Sequence, residues 1–219
     1  MTGSQQTFTT DCRRCSRLAK FLDEVRITHK DYFARPVPSF GDANARLLVV
    51  GLAPGMHGAN KTGRPFTGDH AGILLYKTLF EQGFSTASIS ESSEDKLELK
   101  DCRITNAVRC LPPQNKPTGD EVSTCNGYLL EELKTLPSNA LVVSLGSIAH
   151  KAVLKALNLK QSDFPFGHGS IHKLSVDLIM IDSYHCSRYN TQTRRLTAHM
   201  FSAIFLKARE LLKKNDRSA

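Results

Sequence analysis

Residues 51–69, with the sequence GLAPGMHGANKTGRPFTGD, combine residue types that suit a ligand site. Five glycines and two prolines stand beside a histidine, an asparagine, a lysine, an arginine and an aspartate, directly after the apolar residues 47–50. Such a segment is too polar for a core, and its glycines permit positive φ angles and close approach of the backbone to a ligand. We therefore predict an active-site loop at the carboxyl end of a buried strand.

Four of the six cysteines form two separated pairs that indicate a metal site. Two residues separate Cys12 from Cys15, and fourteen separate Cys110 from Cys125. Four thiolates suit zinc or an iron–sulfur cluster, and the wide second spacing argues against a zinc ribbon, in which both pairs are close. The spacing alone leaves zinc and an iron–sulfur cluster equally open.

The remaining two cysteines belong to neither pair. Cys102 precedes a predicted strand and is expected to be an ordinary buried residue. Cys186 lies in a candidate site loop, where an exposed thiol is expected.

Short apolar runs alternate with segments of helical periodicity, which predicts a parallel sheet with crossover helices. Four strands are predicted at residues 46–51, 103–108, 140–145 and 177–181. Helices are predicted around residues 73–80, 122–133, 147–157 and 196–211, and Thr118 with Glu121 forms a capping box before the second. The serine-rich residues 85–100 are expected to be a surface excursion without chemistry.

Polar sequences gather after the predicted strands, where ligands bind in open α/β sheets. They are residues 51–69, Asn106 with Arg109 and Cys110, Gly146 with Ser147, and residues 183–195.

The charge balance favours an anionic partner. With 29 basic and 21 acidic residues the net charge is +8, and nucleic acid is favoured over an acidic membrane surface, although proteins without anionic partners often carry such an excess. No apolar run approaches the roughly 18 residues that a membrane helix needs. We expect a soluble, cytoplasmic protein with reduced thiols.

Seven blocks of sequence follow one another over nearly the whole chain. They are Cys12-x-x-Cys15, PVPSFGD from Pro36, GLAPGMHGANKTGRPFTGD from Gly51, ITNAVRCLPPQNKPT from Ile104, Cys125, SLGSIAHKA from Ser144 and SYHCSRYNTQTRRLT from Ser183. This ordered set resembles the iron–sulfur uracil-DNA glycosylases, and within them the family-five branch often called UDGb.

The resemblance implies a fold, a cofactor and a reaction. The fold would be a three-layer α/β/α domain with a central four-stranded parallel sheet, spanning residues 1–219 as a monomer. The cofactor would be a 4Fe-4S cluster held by Cys12, Cys15, Cys110 and Cys125. The reaction would be hydrolysis of the N-glycosidic bond of uracil in DNA, extending to other deaminated bases such as hypoxanthine and leaving an abasic site.

The same resemblance suggests a role for each residue of the base pocket. A base must leave the duplex to be reached. Phe66 would stack on it and Asn106 would read its edge, while His185 would stabilise the departing base by donating a hydrogen bond. The other substrate-binding residues would be Gly51, Ala53 and His57.

Other assignments compete with simpler interpretations. Asp69 would orient the attacking water, or would only cap the helix that follows. The choice is open because Met56 and His57 stand where other branches carry a water-activating residue. Arg188, Arg194 and Arg195 would contact DNA phosphates, or would form a solvated loop.

Two departures from the family pattern put substrate range and DNA affinity in doubt. Cys186 replaces the usual proline, which could make the site oxidisable, and Arg194 replaces a usual glycine. The competing functions are a catalytically impaired iron–sulfur protein that binds nucleic acid, and a zinc-stabilised hydrolase of nucleosides.

Overall fold

A computed structural model describes residues 7–216 and contains a six-stranded mixed sheet. The strands are β1 Phe40–Gly41, β2 Leu47–Gly51, β3 Cys102–Asn106, β4 Ala140–Leu145, β5 Ile171–Lys173 and β6 Leu178–Ser183. Their order in the sheet is β1-β3-β2-β4-β6-β5. The four inner strands run parallel, whereas β1 and β5 are antiparallel to their neighbours.

The inner strands confirm the predicted four-stranded parallel core. Every residue of β2, β3 and β4 is buried, and β2 and most of β4 are apolar, as is typical of strands covered on both faces. The edge strands were not predicted because β1 has two residues and β5 three, too few for a periodic signal. Strand β3 ends at Asn106, two residues earlier than predicted.

Seven α-helices accompany the sheet within the described range. They are α1 Ser16–Thr28, α2 Ala59–Thr62, α3 His70–Glu81, α4 Gly119–Lys134, α5 Ser147–Ala156, α6 Arg188–Gln192 and α7 Ala198–Asp216. The predicted capping box is confirmed, since the Glu121 N–H donates to Thr118 Oγ1 and the Thr118 N–H donates to the Glu121 carboxylate. Between residues 7 and 216, no helix is both long enough and apolar enough to cross a membrane.

Alternate residues of β2 pack against opposite helical layers. Leu47 and Val49 belong to the apolar cluster that contains α3 and α7, and Leu48 and Val50 to the cluster that contains α4 and α5. The fold is therefore a three-layer α/β/α arrangement, as expected. Helix α1 forms a third cluster with Val108 and the paired cysteines, beside the ends of β2 and β3.

Candidate active site

A cavity of about 620 Å³ opens beyond the carboxyl ends of β2 and β3. Gly51 at the end of β2 is paired with Asn106 at the end of β3, and His185 lies two residues beyond β6. Because parallel strands end at one edge of a sheet, the connections that follow them converge there. Seven of the predicted site residues line this cavity: Ala53, His57, Phe66, Asp69, Asn106, His185 and Arg188.

Gly51 makes room for two of these side chains. A Cβ atom built on Gly51 would lie 2.4 Å from Asn106 Oδ1 and 2.5 Å from Phe66 Cζ. Both distances are far below van der Waals contact. Gly51 therefore acts on the cavity through its neighbours, by letting them lie against the strand.

Replacing Gly51 by alanine is expected to displace the Phe66 ring and the Asn106 amide. Overpacking of this kind costs about 1–3 kcal/mol, so urea unfolding should show a loss of that size, together with weaker substrate binding. Gly119→Ala is the matched control, because a Cβ on Gly119 meets nothing within 4 Å. Equal stability of the two variants would contradict the close-approach explanation.

Phe66 forms one wall of the cavity in an unusual backbone conformation. Its φ angle is 57°, and its ring lies nearly parallel to that of His185, with centroids 6.0 Å apart and an interplanar angle of 28°. A left-handed conformation costs a residue with a Cβ about 1–2 kcal/mol. The surroundings must therefore hold Phe66 in place, as is common where a side chain is oriented for a ligand.

Asn106 carries an unpaired buried oxygen. The residue is 3% exposed, and its Oδ1 has no hydrogen-bond partner among residues 7–216. Leaving such an acceptor unpaired costs about 1–3 kcal/mol. This is the expected state of an amide whose partner arrives with the ligand.

His185 is a neutral hydrogen-bond donor beside the cavity. Burial lowers its pKa to about 4, so the imidazole carries a single proton at neutral pH. Its ring nitrogens form no hydrogen bond with a described residue, while Asn190 Nδ2 donates to its carbonyl oxygen at 2.8 Å and fixes the loop. The ring N–H is therefore free to donate to a ligand.

Asp69 lines the cavity and caps α3 at the same time. Its Oδ1 accepts a hydrogen bond from the Gly72 N–H at 2.9 Å, and a Cβ on Gly58 would lie 2.6 Å from its Oδ2. Burial raises the pKa of the Asp69 carboxyl, although the N–H groups of the first helical turn act in the opposite direction. The geometry thus permits both roles that the sequence left open, one for each oxygen.

His57 lies exposed at the cavity and is held by a residue that sequence reasoning missed. The Tyr32 hydroxyl is 2.7 Å from His57 Nδ1. Tyr32 belongs to the segment after α1, whose backbone also bonds to the loop after β2, with the Phe33 N–H donating to the Lys61 carbonyl. No motif signals this contact, because it joins two loops across 25 positions of sequence.

Two of the three arginines expected to contact DNA line neighbouring cavities. Arg188 lines the main cavity, and Arg195 lines a second one of about 230 Å³ that shares His185 with the first. The Arg195 guanidinium lies 4.7 Å from the centroid of the Tyr184 ring. All three arginines, including Arg194, are exposed and form no ion pair with a described residue, so their charges remain available to phosphates.

Arg194 has a φ angle of 57°, a conformation that glycine adopts without steric cost. Because glycine avoids the steric cost of this conformation, we expect Arg194→Gly to raise the free energy of unfolding by about 1 kcal/mol in a denaturant titration. Arg194→Ala removes the same charge and keeps the Cβ atom, so it should bring no gain. Equal gains in the free energy of unfolding of both variants would contradict the explanation by backbone strain at Arg194.

The expectation of an exposed, oxidisable Cys186 is wrong. The residue is 0% exposed and packs in the apolar cluster with α3 and α7. Burial also raises the pKa of its thiol, and a thiol that is both inaccessible and protonated reacts poorly. Cys186 fills apolar space in this cluster, and Cys102 is buried as expected.

The paired cysteines gather in one place. Cys12, Cys15, Cys110 and Cys125 line a single cavity beside α1 and α4. Burial raises the pKa of Cys110, and the charges of the other three thiols raise it further. Four thiols so placed cannot all ionise unless a cation compensates their charge, which fits a metal centre.

The spacing of the sulfurs bears on the choice of metal. The one group of three or more potential ligand atoms within 4.8 Å of each other in residues 7–216 is that of His150, His172 and Asp182, so no three cysteine sulfurs are so close. Thiolates around one zinc ion, each about 2.3 Å from the metal, would be about 3.8 Å apart. The cysteine sulfurs are therefore farther apart in this structure than the ligands of a single zinc ion. Two sulfurs also accept hydrogen bonds, Cys125 from the Arg109 N–H and Cys12 from the Tyr128 hydroxyl, both at 3.3 Å.

The group of His150, His172 and Asp182 is a hydrogen-bond network. Asp182 Oδ1 accepts from Ser144 Oγ at 2.7 Å and lies 2.8 Å from His150 Nδ1, while Oδ2 lies 2.9 Å from His172 Nε2. Burial raises the pKa of Asp182, but these hydrogen bonds outweigh it and the net shift is downward. Because Asp182 belongs to β6, the network fixes the strand that leads to His185.

Comparisons with known proteins agree with this geometry. The family described as "Uracil DNA glycosylase superfamily" matches residues 38–209. A type-5 uracil-DNA glycosylase of Thermus thermophilus is 46% identical over an alignment of 207 residues that covers 92% of this chain and 94% of that protein. Another from Pyrobaculum aerophilum is 41% identical over an alignment of 202 residues that covers 90% of this chain and 88% of that protein.

A solved structure supports the fold. The crystal structure of Pedobacter heparinus SMUG2 superposes with a TM-score of 0.51 at 13% identity and covers 95% of this chain and 94% of its own. The family match includes every residue that lines the main cavity. The chain therefore belongs to the uracil-DNA glycosylase superfamily, and within it to the type-5 branch.

Proposed function

We propose that this protein is a monofunctional uracil-DNA glycosylase of base excision repair. It hydrolyses the N-glycosidic bond of uracil in DNA and leaves an abasic site. The observation that carries the proposal is the meeting of an aromatic wall, an unpaired amide and a neutral imidazole, from Phe66, Asn106 and His185, around one cavity. No lysine among the described residues lines that cavity, which argues against a Schiff-base lyase step and for simple hydrolysis.

Base recognition would use Phe66 and Asn106. The target base leaves the duplex at a cost of a few kcal/mol and enters the cavity, where the Phe66 ring offers a stacking surface. The Asn106 amide offers one donor and one acceptor, which match a neighbouring carbonyl and N–H on the base edge. Hypoxanthine presents a similar edge, so we extend the proposal to other deaminated bases.

Bond cleavage would use His185 at the departing base and Asp69 at the sugar. As the bond to the sugar breaks, negative charge grows on the base carbonyl, and the neutral His185 N–H stabilises it. Positive charge grows at the sugar, and the Asp69 carboxylate stabilises it and orients the water. Gly51, Ala53 and His57 complete the binding surface, with Gly51 acting through Phe66 and Asn106.

DNA binding would rest on the exposed arginines. Arg188 and Arg195 line the two neighbouring cavities, and Arg194 precedes Arg195 in the same exposed segment. The three would contact the backbone of a flipped nucleotide, and phosphate contacts give affinity without sequence preference. The net charge of +8 supports the same partner. The monomeric state, the single-domain organisation and the cytoplasmic location stay predictions.

We also propose that Cys12, Cys15, Cys110 and Cys125 hold a 4Fe-4S cluster. When bound, the cluster supplies four metal–thiolate bonds that cross-link separate parts of the chain. Cys15 precedes α1, Cys110 follows β3 and Cys125 lies in α4, so these bonds would join the amino-terminal segment to the ends of the sheet. The hydrogen bonds from Arg109 and Tyr128 would orient two of the thiolates.

The activity is tested with a labelled oligonucleotide that contains one uracil. We expect strand scission at the uracil after alkali treatment, and no scission of the matched thymine strand. A panel with hypoxanthine and other deaminated bases defines the range. Absence of product from every lesion would refute the glycosylase. DNA binding that persists without turnover and is unaffected by His185→Ala or Asp69→Ala would favour the impaired binding protein.

The cluster is tested by colour, iron content and substitution. We expect the purified protein to be brown, with absorbance at about 400 nm and about four irons per chain. Cys110→Ser should lose both signals and lower the melting temperature. Cys102→Ser is the matched control, since Cys102 is equally buried but lies in a different apolar cluster, and it should keep both signals. A colourless protein with stoichiometric zinc would contradict the cluster.

A further inference from the structure

The serine-rich residues 85–100 contact the loop that carries Phe66. Ser90 Oγ accepts a hydrogen bond from Arg64 Nη1 at 3.1 Å and is 2.7 Å from Thr67 Oγ1. One serine thus touches the residues on both sides of the dipeptide Pro65-Phe66. The segment was expected to be a surface excursion without chemistry, and its contacts point to a role in the site.

Asp95 organises this contact. Its Oδ1 accepts from Arg64 Nη1 at 2.5 Å, and its Oδ2 accepts from the N–H groups of Glu91 and Ser92 at 2.9 and 3.2 Å. Arg64 is 5% exposed, so its charge depends on this carboxylate and on the Ser93 carbonyl, to which Nη2 donates at 2.9 Å. A single carboxylate thus fixes both the serine-rich segment and the buried guanidinium.

The network restrains a backbone that would otherwise relax. Phe66 has a φ angle of 57°, and such a conformation persists only where its surroundings over-determine it. On one side the Tyr76 hydroxyl donates to the Pro65 carbonyl at 2.8 Å. On the other side Thr67 is fully buried and bonded to Ser90. The restraint therefore reaches the residues directly before and after Phe66.

We propose that Asp95 and Ser90 are positioning residues for base binding, which act through Arg64 and Thr67 to hold the Phe66 ring where a flipped base stacks. The inference rests on the proposed function, and neither residue lines the cavity. Loosening the network lets Phe66 move toward an ordinary φ angle and takes its ring away from its place beside His185. Phosphate contacts are unaffected, because the exposed arginines lie on a different segment.

The test separates binding of the base from binding of the backbone. Affinity is measured by fluorescence anisotropy for two duplexes, one with uncleavable 2′-fluoro-2′-deoxyuridine and one with a tetrahydrofuran abasic analogue. The ratio of the two affinities reports the contribution of the base. Asp95→Asn is expected to lower this ratio about tenfold, in the range of one lost aromatic stack, and to leave abasic affinity within about twofold. Ser90→Ala, a milder change, should act in the same direction.

A double-variant cycle tests whether Asp95 acts through Phe66. In a Phe66→Leu background the ratio should already be low, and Asp95→Asn should lower it no further. Asp101→Asn is the matched control. It breaks a 2.6 Å ion pair with Arg46 at the amino end of β3, whereas the cavity lies at the carboxyl end, so it should leave the ratio unchanged. The inference is refuted, and the proposed function is left standing, if both network variants keep the wild-type ratio. It is refuted in the same way if Asp95→Asn lowers the ratio as much in the Phe66→Leu background as in the wild type. Wild-type protein that releases no base from any lesion-bearing duplex would refute the proposed function and the inference with it.

Discussion

His185→Ala is expected to slow uracil release by about 10²- to 10³-fold while duplex affinity stays nearly constant, because a donor aimed at a developing oxyanion acts mainly in the transition state. The imidazole lies at the cavity wall with its ring nitrogens unpaired by any described residue and its pKa lowered to about 4. It therefore donates as a neutral group. Single-turnover cleavage with enzyme in excess measures the chemical step directly.

Two further variants show whether the slower uracil release comes from the loss of the His185 N–H donor. His185→Asn keeps an N–H donor on a shorter side chain and should recover part of the lost rate. His199→Ala removes an exposed histidine in α7, away from the cavity, and should cleave at the wild-type rate. Equal rates for His185→Ala and wild type would show that the departing base needs no donor at this position.

The lowered pKa of His185 also fixes the sign of a pH effect. The folded protein holds the proton more weakly than the unfolded chain, in which histidine has a pKa of about 6.5. Stability is therefore lost as the pH falls from about 6.5 toward 4, and His185→Ala should lose less over this range. The cleavage rate should not change with His185 ionisation above about pH 5.

The sheet was predictable where burial is complete. Strands β2 and β4 lie between two helical layers, so both are apolar apart from Ser144, and the sequence places both within one residue of their true bounds. Strand β5 alternates exposed, buried and exposed over three residues, and such a short pattern cannot be told from a loop. The edge strands form because their residues pack against the free edges of the parallel sheet. That contact depends on the tertiary structure, and no local sequence pattern shows it.

The active site was predictable to the extent that motifs mark it. Phe66, Asn106 and His185 stand in recognisable blocks at strand ends, and they line one cavity as strand topology requires. The supporting residues were missed because their partners are distant in sequence. Asp95 reaches Arg64 across 31 positions, through a segment whose composition is that of any polar loop. Cys186 was misjudged because burial depends on which way the loop turns, not on its neighbours in sequence.

Asp69→Asn is expected to lower the cleavage rate by about 10²- to 10⁴-fold without loss of stability. Asparagine caps a helix as well as aspartate, so the hydrogen bond from the Gly72 N–H survives, but the charge beside the sugar is lost. Asp69→Ala loses both, and should combine the same rate defect with about 1 kcal/mol of lost stability. Single-turnover kinetics and urea unfolding of the two variants separate catalysis from capping.

The pH dependence gives an independent check on Asp69. Burial raises the pKa of the folded carboxyl, so it binds a proton more tightly than the unfolded chain does, and this group costs stability as the pH rises from about 3.9 through the raised value. A catalytic carboxylate must be ionised, so the wild-type rate should fall as the pH drops through the same raised value. Asp69→Asn removes both dependences. If it instead cleaves uracil at the wild-type rate and Asp69→Ala loses only stability, Asp69 is a helix cap, and the water is oriented by another group at the cavity.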